Sequence, residues 1–321
     1  MRVIEVGAFG GPEVLTLTQV PDPAPGPGEL LLRVAVADVL WVETAIRRGL
    51  GGAYFPVTPP YRPGVGVAGT VEAVGAGVDP AWAGRRVVAR TDERGGYLDR
   101  AVVPADATLP VPDEVSLAEA AALLHDGVTA AGLGDLVPVR PDDRVLVTAA
   151  AGGLGALLVQ RARAAGAYVV AAARGETKRE ALYRLGADLA VDYAEPGWTA
   201  RVRAATGGLD VVLDGAGGDY GRAAFTLLRD GGWFSAHGTP AGGFAVPDET
   251  DARARRVTVV GIDDVRFTPE RRLRYLRDAL DAAATHGIRP LIGQTFPLER
   301  AADAHRAIED RSTIGKTLLV V

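Results

Sequence analysis

The chain has 321 residues, 48% of them hydrophobic, with 40 acidic against 35 basic side chains, a net charge of −5 and a pI near 5.5. That length predicts about two domains, the acidic balance argues against a nucleic-acid surface, and the absence of cysteine excludes disulfides and thiolate zinc sites. The four histidines, His125, His237, His286 and His305, show no ligand spacing, no stretch approaches the ~18 apolar residues of a membrane span, and no hydrophobic leader follows Met1. The expectation is a metal-free cytoplasmic protein with a small-molecule substrate and neither a nucleic-acid nor a membrane partner.

The first hundred residues alternate and turn. Val3 to Val6, Leu15 to Val20 and Glu29 to Val36 read as short strands, with Pro21-Asp-Pro-Ala-Pro-Gly-Pro-Gly28 punctuating them. Leu40 to Arg48 has helical spacing, and Gly49 to Pro63 is a Pro-rich loop carrying Tyr54, Phe55 and Tyr61. Val65 to Val74, Arg85 to Arg90 and Gly95 to Val103 return to strands. At Ser116-Leu-Ala-Glu119 the texture changes: this is a capping box, opening an alanine-rich helix that runs towards His125.

From there strands alternate with helices of roughly 10 to 15 residues. The strands are expected at 144–148, 168–173, 188–191, 210–213, 232–236 and 256–261, and the helices at 154–165, 176–185, 197–205 and 219–229. Six such strands joined by short connections predict a doubly wound parallel sheet. A helix at 269–286, an extended Thr295-Phe-Pro297, a helix at 298–309 and a strand at 316–321 close the chain. The β-rich start and this tail flank the sheet, so the economical arrangement is one β-rich domain from 1–122 plus 264–321, with a nucleotide domain at 123–263 inserted. Ligands are expected in the crevice outside the carboxyl ends of the parallel strands.

The first βα turn holds the chemistry. Val145 to Thr148 is an apolar strand, and Ala150-Ala-Gly-Gly-Leu-Gly155 departs from G-x-G-x-x-G only at its first position. Gly152 lets backbone approach a pyrophosphate, Gly155 lets the helix pack on the strand, and the helix N-terminus offers unpaired N–H groups. The next strand ends in Ala173 and Arg174 where an NAD site would carry an acid for the ribose 2′-hydroxyl, and Lys178 follows one helical turn on. A missing carboxylate and two cations suit a 2′-phosphate, which points to NADPH. Among 35 cations only Lys178 and Lys316 are lysines, so a lysine kept at that place fits a point-charge contact.

The order of motifs resembles the medium-chain dehydrogenase/reductase superfamily, in its zinc-free quinone oxidoreductase (zeta-crystallin-like) branch. The resemblance covers essentially the whole chain: Phe9-Gly-Gly-Pro-Glu-Val-Leu15, Arg62-Pro-Gly-Val-Gly-Val-Ala-Gly69, Gly96-Tyr-Leu-Asp, Gly127-Val-Thr-Ala130, the glycine turn, Leu185-Gly-Ala-Asp188, Asp210-Val-Val-Leu-Asp214 and Gly315-Lys316. It implies a Rossmann domain inserted in a GroES-like one, and NADPH-dependent reduction of a quinone or of the C=C of an α,β-unsaturated carbonyl. By position it implies Thr129 at the nicotinamide end, and Ala151, Gly152, Gly153, Leu154 and Gly155 along the pyrophosphate. Arg174, Lys178 and Tyr193 match the adenosine and 2′-phosphate pocket, and Gly217, Gly238 and Arg311 the later cofactor loops. It also implies a homodimer paired through strand 256–261.

The chain departs from the family pattern where Leu40 replaces an expected Asn, Glu43 an Asp, and Gly66 an acidic residue. Metal-binding cousins draw ligands from these regions, so Leu40 and Gly66 further exclude zinc. His125, placed by the resemblance near the nicotinamide, is able to give the proton that follows hydride transfer. Trp41, Tyr54 and Tyr61 are the expected aromatic wall for a flat substrate. A dedicated biosynthetic tailoring reductase and a non-catalytic NADPH-binding protein stay open as alternatives.

Overall fold

The computed structural model describes residues 1–52, 54–91 and 95–321. In chain order the strands and helices are β1 (Arg2–Val6), β2 (Leu15–Gln19), β3 (Glu29–Val39), α1 (Trp41–Arg47), β4 (Gly66–Val74), β5 (Arg86–Arg90), β6 (Arg100–Pro104), β7 (Thr108–Pro110), α2 (Leu117–Leu123) and α3 (Asp126–Leu136). There follow β8 (Arg144–Thr148), α4 (Gly153–Ala164), β9 (Tyr168–Ala173), α5 (Glu176–Arg184), β10 (Leu189–Asp192), α6 (Trp198–Thr206), β11 (Leu209–Asp214), α7 (Gly218–Phe225), β12 (Leu228–Ala236), α8 (Glu249–Ala254) and β13 (Thr258–Gly261). The chain ends with α9 (Pro269–Thr285), β14 (Ile292–Pro297), α10 (Ala301–Glu309) and β15 (Lys316–Val320).

Two compact units result: Met1–Val128 with Arg272–Val321, and Thr129–Arg271. Their boundaries fall a few residues later than the expected 122/123 and 263/264. In the first unit, β3 is the spine of a seven-stranded sheet ordered β14-β15-β3-β4-β5-β7, with β6 also pairing β3. Its core gathers Val3, Ile4, Leu30, Leu32, Val67, Val87, Leu98 and Val103 with Leu298 and Leu319 from the chain's end. Residues far apart in sequence close one hydrophobic cluster, which is why this unit is discontinuous.

The second unit carries a six-stranded parallel sheet ordered β10-β9-β8-β11-β12-β13. That is the doubly wound order: every strand runs the same way, and successive strands are added outwards in opposite directions from β8 and from β11. Leu146, Val170, Val191, Val212 and Phe234 are wholly or almost wholly buried, as expected of strands covered on both faces.

One expectation is corrected, one is refined and one element is added. The helix expected at 219–229 stops at Phe225, because Leu227 and Leu228 turn into the core and Leu228 opens β12 opposite Leu209, with a register shift before Val211. The helix opened by Ser116 ends at Leu123, a turn at Leu124–His125 follows, and α3 begins at Asp126. Between β12 and β13 lies α8, whose start is capped by the Asp248 side chain accepting from the Asp251 N–H, a signal the sequence reading passed over.

Candidate functional site

Within the parallel-sheet unit, the carboxyl ends of the strands collect nearly all the cofactor residues the sequence singled out. Ala151, Gly152, Gly153, Leu154 and Gly155 follow β8, Arg174 and Lys178 follow β9, Tyr193 follows β10, Gly217 follows β11 and Gly238 follows β12. Thr129 stands half-buried on α3 at the start of this unit, whereas Arg311 belongs to the β-rich unit, exposed and left-handed (φ 56°) after α10.

The two glycines of the first turn have different jobs. A Cβ on Gly155 would lie 2.5 Å from the Ala149 carbonyl oxygen and 2.7 Å from Ala150 Cα, so bare backbone is required for α4 to pack on β8. A Cβ on Gly152 would meet nothing nearer than Ala149 O at 3.4 Å, an ordinary contact. The protein's own packing explains Gly155 and leaves the exposed Gly152 unexplained, as it should if room there serves a ligand at the helix N-terminus. Gly217 and Gly238 are explained internally: their loops cross so closely that added Cβ atoms would sit 2.2 Å from Gly243 O and 1.9 Å from Gly215 O. Asp214, at the end of β11, accepts from Thr148 Oγ1 and from the N–H groups of Ala216 and Gly217, which pins this crossing.

At the end of β9 the Arg174 guanidinium lies over two rings, 6.0 Å from the Tyr193 centroid and 5.3 Å from that of Tyr220, and Nη2 donates to Tyr220 Oη at 2.9 Å. The two tyrosines stack at 4.5 Å. Arg174 Nε is buried with no acceptor. Asp192, at the end of β10, accepts from the Gly175 and Ala194 N–H groups. A stacked cation with an unsatisfied donor is suited to a phosphate oxygen. Tyr220 was missed in sequence: it lies 46 residues from Arg174, and no spacing rule joins them.

The β-rich unit buries a second polar group. Asp38, on β3, has no solvent exposure; its Oδ2 accepts from His125 Nδ1 at 2.7 Å and lies 3.4 Å from Lys316 Nζ. The ammonium is also 3.4 Å from Asp126, and His125 Nε2 faces Arg90 Nη1 at 2.6 Å. Burial opposes the Asp38 charge, yet His125 and Lys316 hold its carboxyl below the ordinary value. Burial likewise works against the Lys316 ammonium, but Asp126, Asp38 and Glu43 raise it. Gly66 makes room for the dyad, since a Cβ there would stand 2.5 Å from Asp38 Oδ1 and 3.0 Å from His125 Cε1. Arginine only donates, so His125 Nε2 accepts and its proton sits on Nδ1. In that state Nε2 has no proton to give, which bears against the expected donor role for His125.

Beside it, Glu43 Oε2 accepts from the Leu40 N–H at 2.9 Å and from Tyr97 Oη, and that hydroxyl also lies 3.0 Å from His305 Nε2. Burial, and then the Asp38 charge, push the Glu43 carboxyl up to about 7. Burial and then Arg47 lower His305 to about 3. The three aromatics expected as a wall occupy different surroundings. Trp41 is 39% and Tyr54 74% exposed, whereas Tyr61 packs on the core with its hydroxyl buried and unpartnered.

Comparison with known proteins places this arrangement. The model of the alcohol dehydrogenase GroES-like domain matches residues 26–113, and that of the zinc-binding dehydrogenase matches residues 185–319. The chain belongs to the medium-chain dehydrogenase/reductase superfamily of oxidoreductases, in its quinone oxidoreductase branch. It is 32% identical over 330 residues to a 2-haloacrylate reductase from Burkholderia, covering 97% of this chain and 96% of the relative. It is also 32% identical to the quinone oxidoreductase of Rattus norvegicus, covering 100% of this chain and 98% of that one. The crystal structure of Escherichia coli quinone oxidoreductase complexed with NADPH superimposes with a TM-score of 0.90 at 27% identity, covering both chains fully. Zinc does not suit these residues: there is no cysteine, and among the described residues no group of three or more His, Asp or Glu is placed to hold a metal ion.

Proposed function

We propose that the protein is a metal-independent reductase that uses NADPH to reduce a quinone or the C=C of an α,β-unsaturated carbonyl. The observation that carries this reading is the Arg174 cluster, a stacked guanidinium with a buried unsatisfied N–H at a strand end without a ribose-binding acid. Two relatives support it: one was solved with NADPH, and one is named for reducing 2-haloacrylate.

Arg174 and Lys178 hold the 2′-phosphate, with Tyr193 and Tyr220 beside the adenosine. Gly152 and the N–H groups opening α4 take the pyrophosphate, flanked by Ala151, Gly153 and Leu154, while Thr129, Gly217 and Gly238 complete the contacts within the parallel-sheet unit. Bound NADPH supplies the hydride. Trp41 and Tyr54, both exposed, offer flat apolar surface to the acceptor. The proton comes from water, because His125 Nε2 is engaged as an acceptor. The assembly is a homodimer joined through the exposed edge of β13.

The test is oxidation of NADPH and of NADH, followed at 340 nm, against benzoquinones, enones and 2-haloacrylates. Turnover with NADPH far above NADH is expected. Equal use of both cofactors would overturn the role of Arg174 and Lys178, and binding without turnover on every acceptor would overturn the reductase itself.

A further inference from the structure

The buried ammonium of Lys316 is the second of only two lysines among 35 cations, and the nucleotide site gives it no task. It comes from β15, Asp38 from β3, Asp126 from α3, Arg90 from β5 and His125 from the turn before α3, so five segments converge on one point. The side chains of Lys316 and Asp38 are 4% and 0% exposed. A carboxylate so enclosed stays charged only beside a cation, and the compact ammonium lies 3.4 Å from each of two carboxylates, Asp38 and Asp126.

We propose that Lys316 and Asp38 are positioning residues that lock His125 as the neutral tautomer protonated on Nδ1, so that its Nε2 lone pair holds and aims the Arg90 guanidinium at the oxygen of the acceptor. The aim on the acceptor rests on the reductase reading above; the tautomer lock does not. The chain of contacts has a direction. Lys316 neutralises Asp38, the carboxylate accepts a hydrogen bond from the imidazole Nδ1–H, and the bare Nε2 accepts from Arg90 at 2.6 Å. Among the described residues, the charged and titratable groups around the imidazole include Asp38, Arg90 and its own neighbour Asp126, with Lys316 and Glu43 behind them.

Removing the ammonium has a defined chemical result. A buried carboxylate left with a neutral imidazole takes up a proton. Asp38 Oδ1 is buried with no hydrogen-bond partner to hold a proton, so the proton either makes the imidazolium or sits on Oδ2 and donates to Nδ1, and both arrangements put hydrogen on Nε2. Nε2 can then no longer accept from Arg90.

The experiment is long-range proton–nitrogen NMR on 15N-histidine-labelled protein, with His125 assigned by its loss in His125→Asn. The wild type is expected to show His125 Nε2 unprotonated at pH 8, and Lys316→Met to show it protonated. Asp126→Asn, which leaves the Lys316–Asp38 pair intact, should keep it bare. A protonated Nε2 in the wild type overturns the proposal even if Lys316→Met fails to fold, and so does a bare Nε2 in a folded Lys316→Met. In turnover, Lys316→Met should raise the acceptor KM about tenfold or more while NADPH affinity stays within about twofold. If the NMR result stands and no acceptor is reduced, it is the reductase reading that fails.

Discussion

The two units solve burial in opposite ways. The parallel-sheet unit keeps its interior apolar, and its buried polar groups, Thr148, Thr206, Asp214 and Ser235, serve turns and strand ends. The β-rich unit encloses Asp38, Glu43, Arg47, His305 and Lys316, and among the described residues it leaves Asp38 Oδ1, Glu43 Oε1, Arg47 Nε and Nη1, Tyr61 Oη, Thr91 Oγ1 and His305 Nδ1 without partners, against Arg174 Nε and Arg179 Nε in the parallel-sheet unit. Each unsatisfied buried group costs about 1–3 kcal/mol, so the β-rich unit gives up stability to hold charge inside. The difference teaches that the parallel-sheet unit is built to bind at its edge, and the β-rich unit to keep a charged interior in register.

That contrast can be broken in stages. The largest effect belongs to the apolar core: Phe234, fully buried and edge-on to Phe225 at 5.4 Å, should cost about 3–5 kcal/mol when replaced by alanine. Urea unfolding would measure this, and a loss below about 1 kcal/mol would mean that the core is not close-packed there.

Next comes the pH dependence of the charged core. Glu43 is an acid whose folded value is raised to about 7 from 4.5, so the fold binds its proton more tightly than the unfolded chain does. The stabilisation is therefore complete below pH 4.5 and lost as pH rises to 7, by about 3 kcal/mol at ~1.4 kcal/mol for each pH unit. Glu43→Gln should abolish that slope and leave the variant the more stable protein at pH 8. His305, lowered from 6.5 to about 3, has the opposite sign: its contribution is complete above pH 6.5 and lost on acidification towards 3. Unfolding curves from pH 4 to 8 would separate the two, and a wild-type slope that Glu43→Gln leaves unchanged would refute the assignment.

At the edge of the parallel sheet, Arg174→Ala should lower the preference for NADPH over NADH by about 10- to 100-fold through loss of a charge-assisted contact, whereas Tyr220→Phe removes one hydrogen bond worth about 1 kcal/mol. The ratio of kcat/KM for the two cofactors reads both. The smallest effect is expected at Arg47, whose partner Glu309 is partly solvated. Arg47→Met should change stability by less than about 1 kcal/mol, since it removes two orphaned donors along with the ion pair.

The parallel-sheet unit was far more legible in sequence than the β-rich one, for physical reasons. Strands buried on both faces are written as continuous apolar runs, so β8 and β9 lie where Val145 to Thr148 and Tyr168 to Ala173 placed them. Backbone needs are local too, which is why Gly152 and Gly155 could be assigned separate tasks. Side-chain meetings across the fold are not local. Asp38 and His125 lie 87 residues apart, and Tyr97 and His305 lie 208 apart. The one visible signal was an acid inside the apolar run Ala35-Val-Ala-Asp-Val39, with a rare lysine near the end of the chain. Neither says which partner it will find.

The position of β15 has a consequence for how the protein comes into being. It lies between β14 and β3 in the β-rich sheet, so that sheet has a gap until residues 316–320 leave the ribosome. The parallel-sheet unit is one uninterrupted stretch and is free to fold while the rest is still being made. Lys316 is made long after Asp38, whose carboxylate waits until then for the cation that allows it to be buried.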